Sequence, residues 1–330
     1  MKNSRNTYAE INLENYISNL DFIKKQSGQK VIPVLKADGY GHGAVKLSKE
    51  AEKNGYNFFA AAFTEEALEI INNTENSRVL ILNYIEPEKL LSCLPFAGRI
   101  VPTITSVNIL KKYIDLAGKD IKKFKFNINF NTGMFRTGIN EYETDELIKL
   151  IKDNNILTEG IYSHYATADE NDDFSEYQYN KFTMIKKYLN DSGLKYEYSH
   201  MSNSAAALIN PERKDDFIRT GIASYGMQPS EKYNFEQLKP VMKLVSKIVK
   251  INNLDEKTSI GYGRSYFSEK KMSLGIIPVG YADGYRRSFS NKSKVIINGQ
   301  ICDVIGRVSM DQIIVDITEK NVSLNDEAVL

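Results

Sequence analysis

The sequence predicts an eight-stranded β/α barrel followed by a mainly antiparallel β domain. From about residue 30 to residue 226, short runs rich in β-branched and aromatic residues alternate with helical patterns, which is typical of repeated βα units. After about residue 229 the apolar residues alternate with a period of two, as in half-buried antiparallel strands. We therefore predict a barrel domain at 1–228, whose first ~10 residues are free to pair with the second domain, and a β domain at 229–330.

The barrel prediction depends on the number of strands. Eight candidates occur, at residues 30–35, 57–63, 79–84, 100–105, 125–130, 160–165, 196–201 and 218–225. Helical patterns lie between them, and Thr64, Ser106 and Thr144 stand where a capping oxygen is needed. Because a barrel of this kind carries its chemistry at the carboxyl ends of its strands, we expect the functional residues there.

The second domain is predicted from its alternating segments. They are residues 243–251, 272–278, 294–297, 301–305 and 312–317. Asn298 and Gly299 lie between two of them and can supply the positive φ angles of a tight hairpin turn. Residues 323–330 begin another apolar run and stop, which we interpret as a truncated second domain.

Composition excludes several classes of protein. The 43 Lys+Arg and 42 Asp+Glu leave a net charge of +1, which gives no electrostatic reason to expect nucleic acid. No apolar run approaches the ~18 residues of a membrane span and no signal peptide is visible, so we expect a cytoplasmic protein with no membrane partner. Cys93 and Cys302 lie in unrelated segments, and the three histidines lack ligand spacing, so no metal site is predicted. We interpret His42 and His200 as structural residues.

The segment around Lys36 indicates chemistry. Lys36 ends an apolar strand before a glycine-rich turn, and in a barrel it would point into the mouth. Loss of ammonium solvation there favours the neutral amine that forms a Schiff base with an aldehyde cofactor. One alternative is an ordinary strand-end lysine. Another is a dinucleotide fingerprint at Gly39, Gly41 and Ala44 with Glu65 on the next unit, although it needs an open sheet and gives Lys36 no role.

Eight motifs, in one order along the chain, resemble those of alanine racemases. They are VLKADGYGHG at 34–43, NTGMFR at 131–136, SHYATAD at 163–169, SNSAA at 202–206, RTGI at 219–222, GYG at 261–263, GYADG at 280–284 and GRVSMDQ at 306–312. Each motif alone is weak to moderate, but their order is specific and spans nearly the whole chain. The resemblance implies a barrel followed by a β domain, in agreement with the patterns above.

The resemblance also implies a pyridoxal 5'-phosphate-dependent racemase of a small amino acid. Lys36 would carry the cofactor and act as a base on one face of the substrate Cα, and Tyr262 of a partner subunit would serve the other face. Two bases are needed because racemisation removes a proton from one side and returns one on the other. An ordinary tyrosine titrates near ~10, so His164 or the cationic surroundings of the lysine would have to stabilise its phenolate. The implied assembly is a head-to-tail homodimer.

The remaining site residues follow from the same resemblance. Arg219 would face the pyridine nitrogen, which it leaves unprotonated because a guanidinium does not give up its proton. The phosphate would be held by Ser204, the backbone of Gly221 and Ile222, and the Tyr40 hydroxyl. Arg136 and the backbone of Met310 would bind the substrate carboxylate. His164 would belong to the hydrogen-bond network around the cofactor. The residues that would line the substrate entrance are Asp169, Tyr281, Arg287 and Arg307.

Two departures from the family pattern keep the specificity open. Asn129 stands where many members carry a carbamate-modified lysine, and asparagine cannot form that group. We therefore expect a bound anion near Asn129 and Arg136. The chain also ends before a C-terminal tyrosine that the family uses.

The favoured function is an alanine racemase that supplies D-alanine for a bacterial cell wall. A serine or broad-specificity racemase of the same family is the alternative. A non-catalytic pyridoxal-phosphate-binding protein would lack the β domain and Tyr262, and a related decarboxylase would carry a cysteine motif that is not found here.

Overall fold

The computed structural model describes residues 6–170 and 173–330. It divides the chain into two compact units, Asn12–Val241 and a second unit in which Met242–Leu330 is joined by the start of the chain through Ile11. Residues 229–241 thus fall in the first unit. Within the described ranges, no helix combines the length and the apolar character that a bilayer span requires.

The elements follow in chain order. The strands are β1 Tyr8–Ile11, β2 Lys30–Pro33, β3 Phe58–Ala61, β4 Arg78–Ile81, β5 Ile100–Val101, β6 Thr103–Ile104, β7 Lys125–Asn129, β8 Leu157–Tyr162, β9 Tyr198–His200, β10 Phe217–Thr220, β11 Met242–Lys247, β12 Lys250–Leu254, β13 Ser259–Ile260, β14 Tyr266–Phe267, β15 Met272–Ile277, β16 Lys294–Ile297, β17 Gln300–Ile305, β18 Ile313–Asp316 and β19 Glu327–Val329. The helices are α1 Leu13–Ser27, α2 Lys36–Gly41, α3 Ala44–Lys53, α4 Thr64–Asn73, α5 Pro87–Ser92, α6 Val107–Ala117, α7 Thr144–Asp153, α8 Phe174–Asp191 and α9 Ser204–Ile209.

The first unit is a closed parallel barrel, as predicted. One arc runs β2-β10-β9-β8-β7-β6 and the other β3-β4-β5. The fourth predicted strand is divided into β5 and β6 by Pro102, which has no N–H to give to a sheet, although its carbonyl still accepts from Asn127 N at 2.9 Å. A parallel bridge between Val34 and Ala60 joins β2 to β3 and closes the ring.

The helix starts show which sequence signals hold. Ser106 caps α6 as predicted, because its hydroxyl accepts the N–H of Ile109 at 3.2 Å. The cap predictions at Thr64 and Thr144 are wrong, since each is the first residue of its helix. Before α4 the Glu66 carboxylate accepts the exposed backbone N–H groups instead, the nearer at 2.8 Å.

The second unit is an antiparallel sheet in the order β1-β11-β19-β16-β17-β18-β15-β12. Strand β1 pairs with β11, so the start of the chain belongs to this sheet. Asn298 and Gly299 adopt φ of 49° and 73° between β16 and β17, which confirms the predicted hairpin turn. The run at 323–330 contributes β19, which has β11 and β16 as sheet partners.

Candidate active site

A cavity of about 470 Å³ opens at the carboxyl ends of the barrel strands. This volume suits a small-molecule site, for which about 300–1,000 Å³ is usual. The cavity brings together every site residue that was predicted on the barrel, namely Lys36, Tyr40, Arg136, His164, Asp169, Ser204, Arg219, Gly221 and Ile222, and Asn129 lines it as well. Residues far apart in sequence therefore share one concave site within the first unit.

A larger groove, of about 780 Å³, lies along α7 and α8 on the outside of the barrel. Its lining includes Asp145, Lys181 and Met184, and none of the predicted site residues. Because barrel chemistry is concentrated at the strand ends, we assign the functional site to the smaller cavity.

Lys36 is followed by a turn of unusual backbone conformation. The four residues from Ala37 to Tyr40 have φ of 52° to 61° and ψ of 37° to 51°, which is the left-handed helical region. For residues with a Cβ this conformation costs roughly 1–2 kcal/mol each, so contacts must hold it in place. Glu66 Oε1 accepts the N–H of Ala37 at 2.7 Å, and Asp38 Oδ1 accepts the N–H of Ala44 at 2.8 Å. The turn leaves Lys36 Nζ 5.8 Å from the centre of the Tyr40 ring.

Hydroxyl and backbone N–H groups converge beside Ser204. Its Oγ accepts the N–H of Gly221 at 3.1 Å and that of Ala223 at 3.3 Å. The N–H of Ile222 begins a 3₁₀ turn and so has no partner within it. A Cβ added to Gly221 would lie 2.6 Å from the Tyr40 hydroxyl oxygen, so only glycine allows this approach. Such a cradle of N–H donors and hydroxyls suits a phosphate group.

Arg219 is the buried cation of the cavity, with 3% of its surface exposed. Its Nη1 donates to the Nδ1 and the carbonyl of His200, and its Nη2 donates to the carbonyl of Ser163 at 2.7 Å and to His164 Nδ1 at 3.0 Å. The guanidinium lies 4.9 Å from the centre of the Tyr162 ring. Burial lowers the pKa of Arg219 to about 10, so it remains a cation at neutral pH.

These contacts assign the protonation of the two neighbouring histidines. A guanidinium can only donate hydrogen bonds, so the Nδ1 atoms of His164 and His200 must both accept. Burial, followed by the positive charges of Arg219, Arg136 and Lys36, lowers the pKa of His164 to about 3. His164 is thus neutral near pH 7, so it can offer a tyrosinate a hydrogen bond but no positive charge.

His200 is fully buried with both ring nitrogens in hydrogen bonds, which fits the interpretation of a structural residue. Its ring lies within the barrel and accepts from Arg219, which lines the cavity. His42 also fits a structural role, because its ring packs 4.6 Å from that of Tyr225 and its Nδ1 bonds the Tyr40 carbonyl at 2.9 Å.

Arg136 has charge available for a ligand. It is exposed at the mouth and makes no hydrogen bond or ion pair with another residue of the described ranges. The nearby side chain of Asn129 is buried at the cavity wall. Across residues 6–170 and 173–330, no group of three His, Cys, Asp or Glu side chains is arranged to hold a metal ion.

The second unit carries the other predicted residues on exposed turns. Tyr262 is 69% exposed and stands between Gly261 and Gly263, which adopt φ of 71° and 69°. A Cβ at Gly263 would lie 2.8 Å from Nη1 of Arg307, so the Arg307 guanidinium packs on this turn. These glycines therefore present a phenol at the surface beside a cation.

Tyr281 and Met310 are neighbours on another part of this unit. The carbonyl of Met310 accepts the N–H of Ala282 at 3.0 Å, and both predicted side chains are exposed. Arg287 is exposed in the following 3₁₀ turn. The structure thus groups Tyr262 with Arg307, and Tyr281 with Met310.

Fold and site together define a class of protein: a β/α barrel with a lysine beside a cradle of N–H and hydroxyl groups at its strand ends, followed by an antiparallel β unit. The family described as alanine racemase, N-terminal domain, matches residues 11–229, and alanine racemase, C-terminal domain, matches residues 241–330. The chain belongs to the alanine racemase family, whose members are pyridoxal-phosphate-dependent isomerases. The resemblance drawn from the eight motifs is therefore confirmed.

Individual relatives agree with this assignment. The alanine racemase of Clostridium perfringens strain SM101 is 37% identical over 336 residues, which cover 99% of this chain and 86% of the relative. The solved alanine racemase of Clostridium difficile 630 superposes with a TM-score of 0.90 at 35% identity, covering 100% of this chain and 87% of that one. An alanine racemase from Bartonella henselae, described with covalently bound pyridoxal phosphate, gives a TM-score of 0.89 at 27% identity. The match covers 98% of this chain and 90% of that one.

Glu66 is a residue of the site region whose contacts the sequence pattern did not predict. It stands in the first turn of α4, where an acid is common, but its carboxylate also reaches the turn after Lys36. Glu66→Ala leaves three backbone N–H groups without their acceptor, so we expect the free energy of unfolding to fall by about 1–3 kcal/mol. Hydrogen exchange at the amide of Ala37 should accelerate in the same variant.

Two matched variants control the Glu66 experiment. Glu66→Gln keeps one carbonyl oxygen and should lose less stability, and Glu69→Ala removes an exposed acid from the same helix and should change little. Unchanged exchange at Ala37 in Glu66→Ala would contradict the role of this carboxylate.

The depressed pKa of His164 predicts a dependence of stability on pH. The folded pKa of about 3 lies below the unfolded value of about 6.5, so the folded state binds fewer protons between them and stability falls as pH falls through that window. Between pH ~6.5 and ~5, the free energy of unfolding should fall more steeply in the wild type than in His164→Asn, by about 1 kcal/mol per pH unit. Urea unfolding at a series of pH values measures both slopes, and parallel slopes would refute the prediction.

Proposed function

We propose that the protein interconverts L- and D-alanine with pyridoxal 5'-phosphate bound in the barrel cavity. The observation that carries the proposal is the presence of Lys36, the Ser204–Gly221 cradle and the buried Arg219 in one cavity of suitable size. Family membership supports it, as does the relative described with covalently bound pyridoxal phosphate. In a bacterium the D-alanine would serve the cell wall, and the reaction would take place in the cytoplasm.

The residues present fit the cofactor. Ser204, the N–H groups of Gly221 and Ile222, and the Tyr40 hydroxyl would hold its phosphate, and Lys36 would hold it covalently. When bound, pyridoxal phosphate supplies an electron sink that acidifies the α-proton of an amino acid. Arg219 would face the pyridine nitrogen and leave it unprotonated, because the guanidinium stays charged and has no proton to give up near pH 7.

Inversion at Cα requires two proton-handling groups on opposite faces of the substrate. Lys36 Nζ would take or return the proton on one face, and Tyr262 of the partner subunit would do so on the other. Support for Tyr262 comes from its 69% exposure on a glycine-flanked turn, where it is available to a second copy of the chain. The proposal therefore includes a homodimer with two shared sites.

Arg136 of one subunit, together with Met310 of the partner subunit, would bind the substrate carboxylate. Arg136 offers a planar fork without a protein partner in the described ranges, which suits an anion. Asn129 cannot carry a carbamate, so a small bound anion beside Arg136 would supply the charge that orients it. Asp169 on the barrel, with Tyr281, Arg287 and Arg307, would line the entrance.

A serine or broad-specificity racemase is the second candidate, and Asn129 is the observation that favours it. A neutral amide at the cavity wall leaves the position of Arg136 to a mobile anion, so a larger side chain on the substrate is easier to accommodate. Both candidates use the same catalytic groups and differ only in the substrate accepted.

The role of Lys36 is tested by its removal. Lys36→Ala should lose racemisation and the absorbance near ~420 nm that a lysine-linked pyridoxal group gives. The exposed Lys46→Ala on α3 is the matched control and should keep both signals. Absorbance that persists in Lys36→Ala would overturn the assignment.

The role of Tyr262 is tested by solvent-deuterium exchange at Cα. Tyr262→Phe should retain the ~420 nm absorbance and exchange the α-proton of one enantiomer only, with racemisation reduced by about 10²-fold or more. The same assay over L- and D-forms of alanine, serine and lysine decides between the two candidate specificities. Turnover equal to that of the wild type would remove Tyr262 from the mechanism.

Mixing the two variants tests the shared site. A 1:1 mixture of Lys36→Ala and Tyr262→Phe subunits, refolded or exchanged together, should recover about one quarter of wild-type activity, because half the dimers hold one intact site. A mixture that stays inactive would place both groups in one chain.

A further inference from the structure

We propose that Tyr198 and Asn127 are positioning residues that act on Arg219 through His200. They form a hydrogen-bonded chain inside the barrel, from the end opposite the cavity to the guanidinium. Only its final consequence for catalysis rests on the proposed function. The chain itself rests on the contacts of the barrel.

The contacts run without a gap. His200 Nε2 lies 3.0 Å from Asn127 Oδ1, and Asn127 Nδ2 lies 2.9 Å from the Tyr198 hydroxyl. Burial, followed by the charge of the nearby Glu159 carboxylate, raises the pKa of Tyr198, so its phenol keeps its hydrogen. Glu159, Tyr198, Asn127 and His200 are all buried, so solvent does not compete for these bonds.

The donors and acceptors fix one direction along the whole chain. At the upper end Arg219 can only donate, so His200 Nδ1 accepts and its hydrogen must be on Nε2. The Nε2 hydrogen then requires the oxygen of the Asn127 amide, and the amide nitrogen is left to donate to Tyr198. Tyr198 accepts in this bond, so its own hydrogen takes no part in the chain.

The Tyr198 hydroxyl holds the Asn127 amide in this orientation. It accepts from the amide nitrogen, so that nitrogen has its partner only while the amide oxygen faces His200. Without the hydroxyl, the buried amide can turn its nitrogen towards His200 Nε2, which would then have to accept and would leave the ring hydrogen on Nδ1.

The backbone provides the space for this chain. Asn127, Gly160 and Tyr198 lie side by side on β7, β8 and β9. A Cβ at Gly160 would lie 2.4 Å from Asn127 Oδ1 and 2.3 Å from a ring carbon of Tyr198, so a side chain there would break the link. The register shift between Phe126 and Asn127 makes Glu159 the extra residue of β8, and such a bulge re-aims a side chain.

The effect on the reaction follows from Arg219. Without the chain, His200 is free to take the other tautomer, whose Nδ1–H cannot accept from the guanidinium. Arg219 then loses a partner and is no longer held in one orientation at the cavity. In the proposed racemase this would weaken control of the pyridine nitrogen and allow half-transamination beside racemisation, in which water would release the carbon skeleton of alanine as pyruvate and the amino group would remain on the cofactor.

The test begins with the tautomer of His200 in the wild-type holoenzyme. The chain has only three histidines, so labelling with [¹⁵N]histidine gives three ring spectra. We expect His200 to be neutral, with a pyrrole-like Nε2 and a pyridine-like Nδ1. A proton on Nδ1, or a charged ring, would overturn the proposal without any variant.

Tyr198→Phe then removes only the hydroxyl. We expect the second His200 tautomer to appear, kcat to fall about ten-fold with little change in KM, and pyruvate release per racemisation to rise. Tyr113→Phe is the matched control, because it removes a buried hydroxyl that bonds only the backbone of Ile85. Should Tyr198→Phe fold poorly, Asn127→Leu, which removes the amide at similar volume, replaces it with the same expected spectrum.

The outcomes separate this proposal from the proposed function. A His200 spectrum that changes in Tyr198→Phe and not in Tyr113→Phe supports the chain, even if the wild type racemises nothing. A spectrum and a pyruvate ratio that are unchanged in Tyr198→Phe overturn it, even if alanine is racemised.

Discussion

The constraint on which the site depends is a guanidinium buried at the carboxyl end of a parallel barrel. Burial of an unpaired charge is costly, so Arg219 must be surrounded by acceptors. The barrel supplies them from the ends of neighbouring strands, as the carbonyls of Ser163 and His200 and the Nδ1 atoms of His164 and His200. Both histidines are therefore neutral, and the positive charge at the base of the cavity belongs to Arg219 alone among these three side chains.

A second constraint is the left-handed turn that follows Lys36. The conformation is unfavourable for Ala37, Asp38 and Tyr40. It persists because Glu66 accepts the N–H of Ala37 and the Asp38 carboxylate accepts the N–H of Ala44 at the start of α3. The turn has a use, because it returns the Tyr40 hydroxyl to within contact of Gly221. Lys36 and the Tyr40 hydroxyl beside Gly221 are thus positioned by the same strained segment.

Much of this arrangement could be predicted from the sequence, for a physical reason. The regular alternation of strand and helix patterns predicts the barrel. A closed parallel barrel places the carboxyl ends of all its strands at one rim, so Lys36, Ser204 and Arg219 are expected to lie in one site. The Ser106 cap could also be predicted, because it depends only on residues that are close in sequence. By contrast, the caps at Thr64 and Thr144 failed because each helix begins one residue earlier than predicted, so the threonine is its first helical residue. The contacts of His200 could not be predicted, because its partners come from β7 and β10 and no local pattern records such contacts.

A gain in folding stability does not explain why polar side chains occupy the interior of the barrel at the end opposite the cavity. A buried ion pair such as Arg78–Glu159 is often no better than apolar residues of equal volume, because desolvation cancels much of its attraction. The apolar cluster of Ile32, Phe58 and Leu80 lies in the same barrel and needs no such partners. What the polar chain adds is direction, since an apolar core cannot choose a tautomer for His200. The glycine at position 160 serves that direction, because a Cβ there would lie 2.4 Å from Asn127 Oδ1 and 2.3 Å from a ring carbon of Tyr198 and would push the two side chains apart.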